Sequence, residues 1–361
     1  MIRNFNFDGR RAWWLAAQLA TLALAFAGAG SAQPYPPTME KLAEGVYFLR
    51  HRGEGGSATV VIGSRDVLVV DASGGAGTRW DIEQIKKLTD RPVRYLVNSH
   101  WHGDHNAGNS QYMEAFPGVA ILAHPATKFE MDLLFPKGKE RTMREVARLK
   151  VELQKTTDKD GKPLTAAQLE ANKREYERME RIEREAVTNP YSYQPPTVTF
   201  EHSMDIDLGG RVVQLRHLGK GNTAGDVIAY IPDAKVLAAG DLLVHPIPYM
   251  FDGYPSEWVK TLDKLAAYDT TVIVPGHGWL LRDKEFVFLV RDFLQAAMDQ
   301  LNRRLADIGP AEFAEFDQVK DAFDLSSFKP KFLAKYPEFE ESYVGLERRV
   351  KMLVFREAQL R

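Results

Sequence analysis

Three histidines and an aspartate fall within six consecutive residues, His100-Trp101-His102-Gly103-Asp104-His105. Imidazole and carboxylate are donors that zinc favours, and catalytic zinc sites keep one coordination position open for water. A preset pattern of this kind arises by chance in on the order of one in several thousand chains of this length, so a merely solvated loop is the weaker account. Side chains of an extended segment alternate with a period of two, which sends His100 and His102 to the same side. A turn at Gly103 then lets Asp104 and His105 face a second point a few ångströms away. Catalytic zinc usually takes three protein ligands, so these four donors suit two adjacent ions better than one, and distant partners are expected.

The elements that must position them are short apolar runs ending in polar residues. Val93-Arg94-Tyr95-Leu96-Val97 has the β-branched character of a buried strand, and Asn98-Ser99 breaks it just ahead of the histidines. Val67-Leu68-Val69-Val70 ends at Asp71. Gly219-Lys220-Gly221-Asn222-Thr223-Ala224-Gly225-Asp226 forms a glycine-rich turn before Val227-Ile228-Ala229-Tyr230-Ile231. Val236-Leu237-Ala238-Ala239 delivers Gly240-Asp241, and Thr271-Val272-Ile273-Val274 ends in Pro275-Gly276-His277-Gly278. Each run places a polar side chain where a strand meets a loop.

In this order the motifs resemble those of the metallo-β-lactamase fold superfamily of hydrolases, over roughly residues 40–290. The resemblance implies an α/β, four-layer αββα sandwich of two mixed sheets between helical layers. It divides the chain into a domain over 33–300, with a helical insertion at about 126–195, and a C-terminal helical extension over 301–361. It assigns His100 and His102 to a first metal, Asp104, His105 and His277 to a second, and Asp241 to a bridge between them. Asp71 becomes the buried carboxylate that supports the histidine loop by hydrogen bonds. One or two zinc ions are the implied cofactor. Hydroxide on the metal attacks a carbonyl-centred ester, lactone, thioester or amide bond, with Asp104 orienting or deprotonating the water.

One position departs from the pattern, because Asn222 stands where most members have histidine. An amide oxygen is a weak donor beside imidazole, and three arrangements remain open. Asn222 makes a weak or water-mediated contact, the enzyme runs mainly on the Asp104, His105 and His277 metal, or His217 swings in as a substitute. His217 is better explained by packing on the sheet. β-Lactamase activity is an alternative, although true β-lactamases of the superfamily carry Cys or Ser where Asp241 stands. Glyoxalase-type thioesterase activity is disfavoured by the expected export and by the lack of recognisable glutathione-binding residues. A non-catalytic exported metal-binding or redox-relay protein is the alternative outside enzymes.

The remaining histidines divide unevenly. His51, His124 and His202 lack sequence partners and are expected to be structural or exposed. His245 opens His245-Pro246-Ile247-Pro248-Tyr249-Met250-Phe251, a stretch expected to border the metal mouth, so His245 and Tyr249 are candidate pocket residues. Trp101, held between ligands, is a third.

Composition bounds the rest. The 361 residues are 44% hydrophobic and 27% charged, as in a soluble enzyme-sized protein. A formal net charge of −2 leaves no basic footprint, which argues against nucleic acid, and the resemblance implies a small-molecule substrate. Arg3, Arg10 and Arg11 precede an apolar stretch over 12–27 and the small residues Gly28-Ala29-Gly30-Ser31-Ala32, the layout of a secretory signal cut after Ala32. The apolar stretch is short for a membrane anchor. Arg10-Arg11 suggests the twin-arginine route, and the expected address is periplasmic or secreted, with no stable membrane anchor after cleavage. The absence of cysteine excludes disulfides, thiolate ligands and a cysteine nucleophile. Residues 139–155 and 164–187 form two charged helical patterns, the second opened by a capping box at Thr165 and Gln168. They are expected to form a flap, an oligomer contact or a solvated hairpin. The segments 285–307, 311–323 and 338–360 are expected to be helices packed on the core, and the sequence leaves the oligomeric state open.

Overall fold

The apolar runs form strands in the computed structural model, which describes residues 36–51, 55–74, 76–134, 138–157, 161–188, 193–251 and 253–360. The expected secretory signal lies outside these residues. Seven strands make the first sheet: β1 (Thr38–Ala43), β2 (Val46–Arg50), β3 (Ala58–Ile62), β4 (Val67–Val70), β5 (Val93–Val97), β6 (Ala120–Ala123) and β7 (Val198–Thr199), adjacent in chain order. The first four are antiparallel, and β4 to β7 run parallel. Helix α1 (Ala76–Leu88) makes the crossover from β4 to β5. The second sheet holds β8 (Ser203–Asp207), β9 (Val212–Arg216), β10 (Ile228–Ile231), β11 (Val236–Val244) and β12 (Val272–His277) in the order β12-β11-β10-β9-β8, with only β11 and β12 parallel.

Period-two alternation divides the core. In β4, Leu68 and Val70 face the second sheet, where Val213, Leu215, Ala229 and Val274 meet them. Val67 and Val69 turn outward onto Ile85 of α1 and Tyr112 of the short helix α3 (Asn109–Ala115), which follows the one-turn helix α2 (Gly103–Asn106). A strand covered on both faces is apolar throughout, and burial of each Val or Leu contributes about 1.5–3 kcal/mol. The outer face of the second sheet carries helix α7 (Pro255–Ala266) and helix α8 (Glu285–Ile308), whose Phe286, Val290, Phe293, Ala297 and Leu301 recur at helical spacing. These faces complete the αββα sandwich.

The tail adds helices α9 (Phe316–Val319), α10 (Lys329–Leu333) and α11 (Glu340–Gln359) to that outer core through Phe332, Tyr343, Leu346, Val350 and Leu353. The single helix expected over 311–323 is broken. Ala314 and Glu315 are extended, and Glu315 then caps a new start with Gln318. That break lets Ala314, Val319 and Phe323 all reach the core.

Helix α4 (Pro125–Leu134) leads out of β6. Residues 131–193 gather into a second compact unit that includes helix α5 (Gly138–Leu153) and helix α6 (Ala166–Thr188). Within it Lys150 reaches Glu180 and lies over the Tyr176 ring. The capping box forms as expected: Gln168 Oε1 accepts the Thr165 amide at 2.9 Å, and Thr165 Oγ1 accepts the Gln168 amide at 3.3 Å.

Candidate metal centre

Asp71 leaves β4 with φ of 64°. For a residue with a side chain that conformation costs on the order of 1–3 kcal/mol, and its hydrogen bonds offset the strain. Its Oδ1 accepts the Ser99 amide at 2.7 Å, and its Oδ2 accepts both the Ser99 hydroxyl at 2.8 Å and His105 Nδ1–H at 2.9 Å. Because the Ser99 proton is committed to Asp71, its oxygen is left to accept His100 Nδ1–H at 2.9 Å. Asp71 therefore occupies the Nδ1 side of two rings, directly for His105 and through Ser99 for His100, and both imidazoles turn Nε2 away from these partners.

These nitrogens converge with two carboxylates. His105 Nε2 and His277 Nε2 are 3.0 Å apart, and Asp104 Oδ2 stands 3.0 Å from His277 Nε2 and 3.7 Å from His105 Nε2. Asp241 lies within β11 rather than beyond its end, because the strand continues to Val244 through register shifts around Gly240. Its Oδ1 faces His105 Nε2 at 3.3 Å and His277 Nε2 at 3.6 Å, while its Oδ2 faces His100 Nε2 at 3.7 Å. Gly276 makes this approach possible, since a Cβ there would stand 2.0 Å from Asp241 Oδ1.

The donor set fits a cation. Zinc with ligands at about 2.0–2.2 Å holds tetrahedral donors roughly 3.3 Å apart, and the separations above bracket that value. Two groups of donors are compact enough to hold an ion, Asp104 with His105 and His277, and His100 with His105 and Asp241. His100 Nε2 and Asp241 Oδ1 are buried without hydrogen-bond partners, a costly state unless something else satisfies them.

Electrostatics support the same reading. Burial holds His100 well below the ordinary imidazole range, helped by the other histidines. At His105 burial opposes the charged form, but Asp241, Asp104 and Asp71 outweigh it and push the pKa well up. Burial also opposes charge on Asp104, yet His105, His277 and His102 drive that carboxyl below the usual range.

Other expected residues are less tightly gathered. His102 is buried with its ring T-shaped against His100 at 4.5 Å, but it falls in neither compact donor group. Trp101 is half-buried and meets His102 edge-on at 4.4 Å. Asn222 is buried, and its Nδ2 has no partner. His217 does not replace it, because its ring donates from Nδ1 to the Asp226 carbonyl at 2.9 Å and stacks on His124 at 4.1 Å. The Tyr249 ring lies 5.1 Å from His277, and burial together with Asp241 and Asp104 raises its pKa, so it remains a neutral phenol. The His245 amide donates to the His277 carbonyl, whereas its ring packs among Phe286, Tyr336 and Trp279. His51 has a partner that its sequence neighbours do not suggest, buried Asp81 at 2.8 Å.

Two further residues near the centre escape sequence reasoning. Ser99 carries the relay, and its only sequence signal is adjacency to His100. Asp226 is buried, with Oδ2 accepting the Thr223 amide at 2.7 Å, Oδ1 unpartnered, and a pKa that burial pushes up to about 7. His102 and Asp241 are among the charges it feels.

Residues 51–277 match the model of the family described as Metallo-beta-lactamase superfamily. A linear primary-alkylsulfatase from a Pseudomonas species is 24% identical over 290 residues, covering 74% of this chain and 49% of the relative. A hydroxyacylglutathione hydrolase from Brucella anthropi is 28% identical over 143 residues, covering 39% and 54%. The chain thus spans about half the length of these curated relatives. Among solved structures, a metallo-beta-lactamase from Pontibacter korlensis superposes with a TM-score of 0.50 at 19% identity, covering 72% of this chain and 99% of that one, a likeness of fold alone.

Proposed function

The chain belongs to the metallo-beta-lactamase superfamily of hydrolases, and from that premise we propose that it is an exported zinc enzyme cleaving a carbonyl-centred ester, lactone, thioester or amide. The observation that carries this reading is the convergence of the His105, His277, Asp104 and Asp241 donors, with His100 Nε2 buried and unpartnered beside them. Asp104, His105 and His277 would hold one ion, His100 and His102 a second, and Asp241 would offer one oxygen to each. Asn222 adds at most a weak or water-mediated contact. Bound zinc lowers the pKa of water to about 7 and polarises the bond under attack.

The chain's own residues do the rest. Asp104, kept ionised, orients the attacking water and takes its proton. Asp71 fixes the histidine rings through direct and Ser99-mediated hydrogen bonds. Trp101 and Tyr249 border the substrate, and the Tyr249 side chain stays a neutral phenol there. The resemblance to hydroxyacylglutathione hydrolase keeps thioesters in the substrate set, and the longer match to an alkylsulfatase favours sulfate esters as a second reading. The carboxylate at 241 weighs against β-lactams. Export is supported by the charged, apolar and small-residue succession over 1–32.

The test is metal analysis of purified protein together with assays on a lactone, a thioester, an aryl ester, an alkyl sulfate and a chromogenic β-lactam. Zinc-dependent turnover of one of the first three supports the proposal. Bound metal with no turnover of any would favour the non-catalytic metal-binding or redox-relay alternative. N-terminal sequencing of the periplasmic form should begin at Gln33.

A further inference from the structure

Arg349, on α11 in the tail beyond the family match, is a cation without an anion. It is half-buried, its Nε donates to the Tyr249 carbonyl at 2.6 Å, and its guanidinium lies 4.8 Å over the Phe251 ring. Among the described residues no carboxylate lies within ion-pair distance of it. Burial draws its pKa down to about 10, with only Tyr249 acting in the opposite direction. Other arginines of the protein do have acids: Arg211 pairs with Asp233, Arg216 with Asp205, and Arg291 with Asp263. Partly burying a guanidinium without a counter-ion carries a cost, and Nη1 and Nη2, which are not among the fully buried unpartnered atoms, stay open to solvent.

The surroundings hold the group in place. Gly345, one turn earlier on the helix, leaves room for it, since a Cβ there would stand 2.8 Å from Arg349 Nη1. Glycine within a helix is less stable than alanine, and an alanine here would make the flexible guanidinium end shift. Phe251 covers one face and Tyr249 occupies Nε, which leaves Nη1 and Nη2 without acceptors among the described residues. Tyr249 in turn stands with its ring 5.1 Å from that of His277. Two parallel N–H donors match the geometry of an oxyanion.

We propose that Arg349 is a specificity-determining anchor for an oxyanion on the substrate, a carboxylate, sulfate or phosphate held by Nη1 and Nη2 while the bond to be cut lies at the histidine cluster. This rests on the hydrolase reading of that cluster. A purely structural Arg349 would only brace the Tyr249 backbone through Nε.

Calorimetric titration of hexanesulfonate, hexanoate, hexyl phosphate and neutral hexanol into metal-free and zinc-loaded protein separates the two roles. At least one anion should bind the metal-free wild type more tightly than hexanol does. Arg349→Gln should weaken that anion about tenfold or more with hexanol unchanged, and Arg349→Lys should be intermediate. Gly345→Ala, which keeps the charge but crowds Nη1, should also weaken the anion and provides the test if Arg349→Gln fails to fold. Unchanged anion affinity in a folded Arg349→Gln or Gly345→Ala protein overturns the proposal, as does binding that appears only with zinc. Because the metal-free titration needs no turnover, failure of the anchor and failure of the hydrolase reading give different results.

Discussion

Around Asp241 Oδ1 the donors of His105, His277 and Asp104 stand 3.0 to 3.7 Å from one another, whereas Asp241 Oδ2 looks across 3.7 Å to His100 Nε2, and His102, expected to complete that half, falls in neither compact donor group. One carboxylate faces both sets of donors, so the difference lies in what surrounds it. The first half is held by β12, by the turn of α2 and by Asp71 acting directly on His105. The second depends on a relay through Ser99 and on a glycine-rich turn whose Asn222 and Asp226 each keep a buried atom unpartnered. Two carboxylates and two imidazoles make a stronger site than two imidazoles, a shared carboxylate and an amide. The Asp104, His105 and His277 half should therefore fill first and carry most of the catalysis.

The sharpest way to break this contrast is to remove one donor from each half. Asp104→Asn should lower kcat/KM by about 10²–10⁴-fold and reduce bound metal, because it removes both a ligand and the acceptor of the water's proton. His102→Ala should cost much less. Equal losses, measured by kinetics and by metal content, would show that the halves work as one unit. A smaller expected effect concerns what fixes the rings. Asp71→Asn should weaken metal binding about 10–100-fold in both halves, since Asp71 holds His100 through Ser99 as well as His105. Ser99→Ala should weaken only the His100 half. Competition with a chelator, resolving two affinities, distinguishes the two outcomes.

The stronger half was legible in the sequence because its donors lie at the ends of apolar runs. Val93–Val97 is a strand as expected, and β12 carries its run on through His277. Val236-Leu237-Ala238-Ala239 was expected to stop before Asp241, but β11 continues to Val244, since a register shift at Gly240 bends the strand without ending it. Residues 311–323 misled because their apolar spacing suits a helix, while Ala314, Val319 and Phe323 can all reach the core only if the chain breaks at Ala314 and Glu315. Partners such as His51 with Asp81, or Arg349 with the Tyr249 carbonyl, are thirty and a hundred residues apart, and no local periodicity links them.

Asn222→His sharpens the contrast from the weaker side. Supplying the imidazole should raise bound metal toward two ions per chain, with activity rising by less than the Asp104→Asn change lowers it. If the wild type already holds close to two ions and the variant holds no more, the weakness assigned to this half is wrong.

Acid should expose the stronger half through a neighbour that is not a ligand. The His245 amide donates to the His277 carbonyl at 3.1 Å, and burial of its ring beside Phe286 and Tyr336 pushes its pKa down to about 4. A histidine in the unfolded chain titrates at about 6.5. The unfolded chain therefore takes up this proton first. Stability is full above about pH 6.5, falls as the pH drops toward 4 and levels off below that. A pKa difference of one between the folded and unfolded chain corresponds to about 1.4 kcal/mol, so His245 contributes on the order of 3 kcal/mol at most to the decline. His124, also pushed down to about 4 by burial but only half covered, adds less. In thermal melts from pH 7 to 4, His245→Phe should fill the same aromatic surroundings and remove the His245 share of the slope, a difference of a few degrees by pH 4, while His100, also held low by burial, keeps its own share. A variant that still loses stability as steeply as the wild type would mean that acid acts elsewhere, and that the hold of His245 on His277 is not where the stronger half first gives way.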